Sequence, residues 1–169
     1  MSPVLADWNN ANTKSAMEAM TNCCGANRWA AAMVNERPID CEATLHETAD
    51  LIWDTMTEVD WVEAFSHHPR IGERRARHAS SQSTAWSGQE QSLVQSAAES
   101  ILSRLAEGNA RYEAQFGFTY IVCATGKSPV EMLAILERRL ANALPAELRE
   151  AAEQQRMIMH IRLRKWLEQ

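Results

Sequence analysis

Apolar residues recur at helical spacing along almost the whole chain, and this periodicity restricts the fold more than any other feature. A first predicted helix follows Asn12-Thr13, which can cap it. A second helix must stop before Pro38, because the residue before a proline avoids the helical region. Asp40 can cap a third helix, whose apolar stripe includes Leu45 and Ala49. The beginning of the chain is therefore predicted to be mostly helical.

A short fourth helix is predicted around Trp61, Val62 and Phe65, and it ends at His67-His68-Pro69. Residues 69–86 then mix arginine and serine without periodicity. A loop of this length is uncommon in a compact domain and is often functional when it occurs. The alternative interpretation is a disordered surface loop, and the sequence alone leaves both open.

The second half of the chain is predicted to form longer helices. Ser87 and Glu90 match a capping box that opens a helix, which Gly108-Asn109 should break or kink. Ser128-Pro129 opens the next helix, because serine can cap it and proline suits its first position, and Pro145 opens the last one. The whole pattern predicts an all-α fold, a helical bundle of about seven or eight helices.

One stretch, residues 116–126, favours β-structure, but it is too short and isolated to build a sheet. The chain has 169 residues, of which 46% are hydrophobic and 23% are charged. These proportions argue against a disordered chain, and the length suits one domain of ordinary size. We therefore expect a single domain over residues 1–169.

Charge and hydropathy argue against two classes of partner. The net charge is -5 and no basic run is longer than Arg74-Arg75, so nucleic acid is a poor partner. No segment approaches the roughly 20 apolar residues of a membrane span. Asp7, Asn9 and Asn10 interrupt any apolar leader, so we expect a cytoplasmic protein. The vicinal pair Cys23-Cys24 bridges only with strain, which favours reduced thiols.

The strongest candidate for acid–base chemistry is the pair His67-His68, which Pro69 follows directly. A histidine at a helix end can titrate near neutral pH and transfer protons. The proline restricts the backbone after it and so limits where the ring can point. The other interpretation is two exposed histidines at a turn.

Ser87 and Glu90 also have two interpretations, which are compatible. They cap a helix, or they border a pocket at its N-terminus, where backbone N–H groups favour an anionic ligand. No H-E-x-x-H or C-x-x-C spacing occurs, so we expect no metal site.

Arg162 lies within an apolar stripe of the last predicted helix, between Met159 and Trp166. A guanidinium in such a place needs a partner, because burying it unpaired is costly. Either a structural carboxylate or a bound substrate carboxylate would satisfy its planar set of donors.

Five short motifs in this order resemble one family, the 2-oxo-4-hydroxy-4-carboxy-5-ureidoimidazoline (OHCU) decarboxylases. Each motif is weak alone, but five at compatible spacing are strong. The motifs are residues 23–38 (CCGANRWAAAMVNERP), 61–72 (WVEAFSHHPRIG), 87–91 (SGQEQ), 112–128 (YEAQFGFTYIVCATGKS) and 158–163 (IMHIRL). Thr119-Tyr120 departs from the family, which more often has Pro-Phe there.

The resemblance implies an all-α fold, a homodimer, and the third step of urate breakdown, which forms (S)-allantoin and CO2. It assigns catalysis to His68, Glu90 and Arg162. It assigns substrate binding to six residues: Pro69, Ser87, Gln91, Ile121, Val122 and Cys123.

The reaction implied by the resemblance suits a chain without a cofactor. The substrate carries a hydroxyl and a carboxylate on one carbon, beside a C=N bond that can accept the electrons released with CO2. It needs no pyridoxal, thiamin or metal as an electron sink. Two alternatives stay open: a decarboxylase or hydrolase of another ureide or hydantoin, and a catalytically silent helical binding module.

Overall fold

Every regular element that the computed structural model describes is an α-helix, and the described residues are 2–71 and 99–169. Eight helices lie in these two ranges, so the predicted all-α class and approximate helix number are confirmed. They are α1 (Pro3–Asn10), α2 (Thr13–Cys23), α3 (Asn27–Asn35), α4 (Glu42–Trp53), α5 (Glu58–Ser66), α6 (Glu99–Phe116), α7 (Pro129–Arg139) and α8 (Leu144–Leu167). The loop predicted up to residue 86 and the capping box at Ser87 and Glu90 lie outside the described residues, apart from residues 69–71.

Two helix starts agree closely with the predictions. The Asn12 side chain caps α2 by accepting a 2.9 Å hydrogen bond from the Ser15 backbone N–H. Ser128 and Glu131 form a reciprocal capping box at the start of α7, in which the Ser128 N–H donates to the Glu131 carboxylate over 2.6 Å. Pro145 is the second residue of α8, which begins at Leu144. These signals are local, which explains why the sequence alone reveals them.

Two predictions about the first third of the chain were incomplete or wrong. Helix α1 was not predicted, since only Leu5 and Trp8 of its eight residues are buried and the apolar pattern is correspondingly weak. Asp40 does not cap α4, because Cys41 takes the N-cap position and the helix begins one residue later than Asp40 would allow.

No helix in the described ranges is both long and apolar enough to cross a membrane.

Of the predicted break or kink at Gly108-Asn109, the break is wrong, because α6 runs through both residues; the kink stays a prediction. A Cβ atom at Gly108 would lie 2.6 Å from the Leu136 Cδ2 atom of α7. The absence of a side chain at Gly108 therefore allows the close approach of two helices at this point. The β-favouring stretch 116–126 forms no strand, and the described parts of the chain contain no strand with which it could pair.

The chain divides into two compact units, and the single-domain prediction stays a prediction. The first unit comprises Met1–Ala64 and Arg156–Gln169. Its buried indoles form hydrogen bonds at the backbone: the Trp8 Nε1–H donates to Ala16 O over 3.1 Å, and the Trp29 Nε1–H donates to Ala49 O over 3.1 Å. The Trp8 and Trp166 rings pack edge to face at 5.9 Å. Large apolar side chains thus make this core, and the Trp8 and Trp29 indoles in it have hydrogen-bond partners.

The second unit comprises Phe65–Gln155, of which residues 72–98 are not described. Its core is aromatic. The Tyr112 ring lies 4.7 Å from Phe116 and 5.3 Å from Tyr120, and the Phe118 ring lies 5.2 Å from Phe65. These contacts attach the extended segment that follows α6 to that helix and to the end of α5.

Candidate active site

His68 lies just beyond α5 in the second unit, where its backbone N–H donates to Phe65 O over 3.1 Å. The ring is partly buried, and the Nε2 atom lies 2.7 Å from the Oε1 atom of Gln155 in α8. Pro69, which follows, is buried and fixes the chain at that point. The interpretation of His67 and His68 as two exposed histidines at a turn is therefore wrong for His68, since its ring is hydrogen-bonded to a buried amide.

The segment Ile121–Cys123 has no regular secondary structure and is buried, and hydrogen bonds fix its backbone on both sides. The Cys123 N–H donates to Gln154 Oε1 over 2.9 Å, and Ile121 O accepts from Arg139 Nη1 over 2.5 Å. Gln154 and Gln155 are consecutive residues of α8. His68 and the backbone of Cys123, two predicted site elements of the second unit, are therefore each hydrogen-bonded to one of these two consecutive glutamines.

A buried ion pair holds the other side of this segment. The Arg139 and Glu147 side chains have no exposed surface, and Arg139 donates to the Glu147 carboxylate through both Nε and Nη2, at 2.8 and 2.5 Å. The Tyr112 hydroxyl also donates to this carboxylate. Burial raises the pKa of the Tyr112 phenol well above its usual range, so it stays a hydrogen-bond donor. The result is a rigid support for Ile121 rather than a proton-transfer group.

Arg162 lies in the first unit and is 1% exposed, which confirms that its guanidinium is buried within the apolar stripe of the last helix. Cys23 and Cys24 are its electrostatic neighbours. Burial raises the pKa of the Cys24 thiol to about 12, although the positive charge of Arg162 acts in the opposite direction. Both thiols are therefore neutral at physiological pH, and both are free, as the sequence predicted.

Three predicted site residues, Ser87, Glu90 and Gln91, lie outside the described residues. Within residues 2–71 and 99–169, no group of three or more histidine, cysteine, aspartate or glutamate side chains is arranged to hold a metal ion.

Sequence analysis missed Gln155 and Arg139, although the signal that identified Arg162 applies to both. Gln155 falls between the buried Ala152 and Met159 at helical spacing, and Arg139 follows the buried Leu136 by three residues. A polar residue on a buried helix face is expected to have hydrogen-bond partners, so each of these two residues could have been predicted to bind a polar group in the interior.

The described fold is all-α, and it holds the partly buried ring of His68 against a buried amide. The OHCU decarboxylase family model matches residues 9–164. This chain therefore belongs to the OHCU decarboxylase family, and the resemblance seen in the sequence is confirmed.

Relatives support this assignment. A solved structure described as OHCU decarboxylase in the presence of (S)-allantoin is 32% identical, with a TM-score of 0.77, and the match covers 94% of this chain and 100% of that chain. The "Uric acid degradation bifunctional protein TTL" of Arabidopsis thaliana is 35% identical over 144 residues, which are 85% of this chain and 44% of that protein. The present chain thus spans less than half the length of this curated relative.

A second solved structure, described as (S)-allantoin synthase, is 18% identical with a TM-score of 0.70 and covers 96% of this chain and 53% of that chain. At this identity the likeness shows the fold alone.

Proposed function

We propose that this chain converts OHCU to (S)-allantoin and CO2 without a cofactor, as the third step of urate degradation. The observation that carries the proposal is the position of His68 in the family fold. Its ring is partly buried and hydrogen-bonded to Gln155 at 2.7 Å, and the adjacent Gln154 binds the buried backbone of Cys123. The family match over residues 9–164 supports the substrate class.

The reaction involves two neighbouring carbons of the substrate and the nitrogen of the adjacent C=N bond. The bond to the carboxylate breaks, CO2 leaves, and the electron pair moves through the C=N bond to its nitrogen, which takes up a proton. The hydroxyl on the first carbon loses its proton and becomes a carbonyl, while the second carbon gains a proton on one face. His68 carries these proton transfers, since imidazole both accepts and donates near neutral pH.

The other roles follow the family resemblance. Glu90 orients His68 or tunes its basicity, and Arg162 holds an anionic or carbonyl group of the substrate through its planar set of donors. Ser87, Gln91 and Pro69 contact the substrate's ring or ureido groups. The backbone of the Ile121–Cys123 segment hydrogen-bonds the hydantoin-like ring.

The rigid setting of this segment supports its proposed part. Gln154 binds the Cys123 N–H and Arg139 binds the Ile121 carbonyl, so these two groups fix the course of the segment and other backbone groups of it are the ones proposed to bind the ring. Groups that are fixed before the substrate arrives need little reorganisation during the reaction.

We also propose that the protein acts as a homodimer in the cytoplasm. The family resemblance supports the dimer, and the described helices, none of which could cross a membrane, agree with the location. Sedimentation equilibrium of the purified chain measures the association state; a dimer is expected, and a monomer at micromolar concentration contradicts the proposal.

Circular dichroism of (S)-allantoin tests the activity directly. Urate is converted in the cuvette by urate oxidase and hydroxyisourate hydrolase, so that OHCU forms in place, with a metal chelator present throughout. The chain is expected to produce optically active allantoin much faster than a mixture without it. A rate equal to that control contradicts the proposal and favours the other-ureide or silent-module alternative. Activity on a panel of other hydantoins then distinguishes those two.

A further inference from the structure

Gln155 is a fully buried polar residue in the interior of α8. Its neighbours on the same helical face, Ala152 and Met159, are apolar and buried. An amide in such a place is destabilising unless its polar atoms have partners, so its retention calls for a specific use.

The carbonyl oxygen of this amide contacts His68, the histidine proposed to carry the proton transfers. The Oε1 atom of Gln155 lies 2.7 Å from the Nε2 atom of His68. An amide oxygen only accepts hydrogen bonds, so Nε2 must carry a hydrogen whether the imidazole is neutral or charged. The proton that His68 exchanges in a reaction is then the one on Nδ1.

The nitrogen half of the same amide is buried, and it has no hydrogen-bond partner in the part of the chain that the structure describes. Because both polar atoms belong to one amide group, this donor lies beside the His68 ring. A buried donor without a partner is costly, and a bound ligand that supplies an oxygen removes the cost.

We propose that Gln155 belongs to the active site, fixing the Nε2–H form of His68 through its carbonyl oxygen and donating its amide hydrogen to an oxygen of the substrate. Only the identity of the substrate in this proposal rests on the proposed function. OHCU offers carboxylate, hydroxyl and ring carbonyl oxygens as acceptors. Through His68, Gln155 acts as a positioning residue, and toward the substrate it acts as a binding residue.

The first test needs no substrate, so its outcome is independent of the proposed function. Protein labelled with ¹⁵N-histidine is studied by NMR above pH 7.5, and the His68 signals are identified by their loss in His68→Asn. The chemical shifts of the two ring nitrogens distinguish the tautomers. A protonated Nε2 and an unprotonated Nδ1 are expected; a protonated Nδ1 would overturn the proposal.

The second test uses the allantoin assay with two substitutions at the same position. Gln155→Leu removes both hydrogen bonds, and kcat/KM is expected to fall about 10- to 100-fold, the usual effect of hydrogen bonds to charged groups. Gln155→Glu keeps the acceptor but removes the donor and adds a negative charge. Its KM is expected to rise, and the acidic limb of its pH–rate profile is expected to move to higher pH, because the carboxylate favours the imidazolium.

Gln115→Leu is the matched control in the same unit. The Gln115 side chain is exposed, and it donates to the Leu140 backbone carbonyl over 2.8 Å. Wild-type kinetics are expected for this variant. If Gln155→Glu shows the same KM and pH profile as the Gln115→Leu control, Gln155 is a packing residue and the proposal is wrong. If Gln155→Leu does not fold, the Gln155→Glu profile and the wild-type tautomer decide.

Discussion

Arg139 and Glu147 are fully buried and bound to one another, whereas Arg138, the adjacent residue, makes a largely exposed ion pair with Glu150. Arg139→Met leaves the Glu147 carboxylate buried without its countercharge. We expect the free energy of unfolding to fall by about 3–5 kcal/mol, measured by urea denaturation.

The neighbouring arginine supplies the control. The Arg138 side chain is 58% exposed. Arg138→Met is expected to cost less than about 1 kcal/mol, as surface ion pairs usually do. Equal losses in the two variants would contradict the structural role given to Arg139.

Single residues also show what sequence patterns reveal about a site. Arg162 was predicted to be a buried cation because it interrupts an apolar stripe, and the structure agrees. The same pattern would have identified Gln155. No pattern could give its partner, because His68 lies 87 positions earlier and only the packing of the chain brings the two together.

At the scale of helices, Gly108 and Leu136 report how closely α6 and α7 pack. Gly108→Ala adds a methyl group 2.6 Å from Leu136 Cδ2, so overpacking is expected to outweigh the gain in helix propensity. In a Leu136→Ala background the methyl group has room, and the same change should stabilise the protein by up to about 1 kcal/mol. A double-mutant cycle of unfolding free energies measures this change of sign.

Additive effects in that cycle would show that the two helices do not meet at Gly108. The sequence predicted a break there, because glycine in a helical pattern signals either flexibility or close packing, and only the neighbouring helix distinguishes them. The capping box at Ser128 was predicted correctly, since all its atoms lie within four residues.

Stability of the whole molecule should respond to protonation of His46. Its Nδ1 atom lies 2.6 Å from His160 Nδ1, and the Asp50 carboxylate bonds the other side of His160 at 2.7 Å. Glu42 and Arg164 are the other charged neighbours of His46. Burial, followed by the charges of His160 and Arg164, lowers the pKa of His46 below its ordinary value of 6.5.

The sign of the effect follows from this direction. The unfolded chain binds a proton at His46 more readily than the folded chain, so its contribution to stability is present above pH 6.5 and is lost as the pH falls below that value. His46→Gln is expected to lose less stability than the wild type between about pH 7.5 and pH 5.5. Thermal unfolding of both proteins across this range measures the difference; equal slopes contradict the account.

Helical periodicity in the sequence predicted the all-α class of the fold, whereas the family was identified from sequence motifs. Helical spacing says nothing about urate chemistry, and the motif order from residue 23 to residue 163 does. The acid–base partner proposed for His68, Glu90, lies outside the described residues, so its role depends on the motif alone.

The most direct test of the account compares two adjacent histidines in the allantoin assay. His68→Asn is expected to reduce the initial rate of (S)-allantoin formation by about 10²- to 10⁴-fold, the usual contribution of general acid–base catalysis. His67→Asn, its neighbour, is expected to keep a rate near that of the wild type. Full activity in His68→Asn, with the loss in His67→Asn instead, would contradict the assignment of the catalytic histidine.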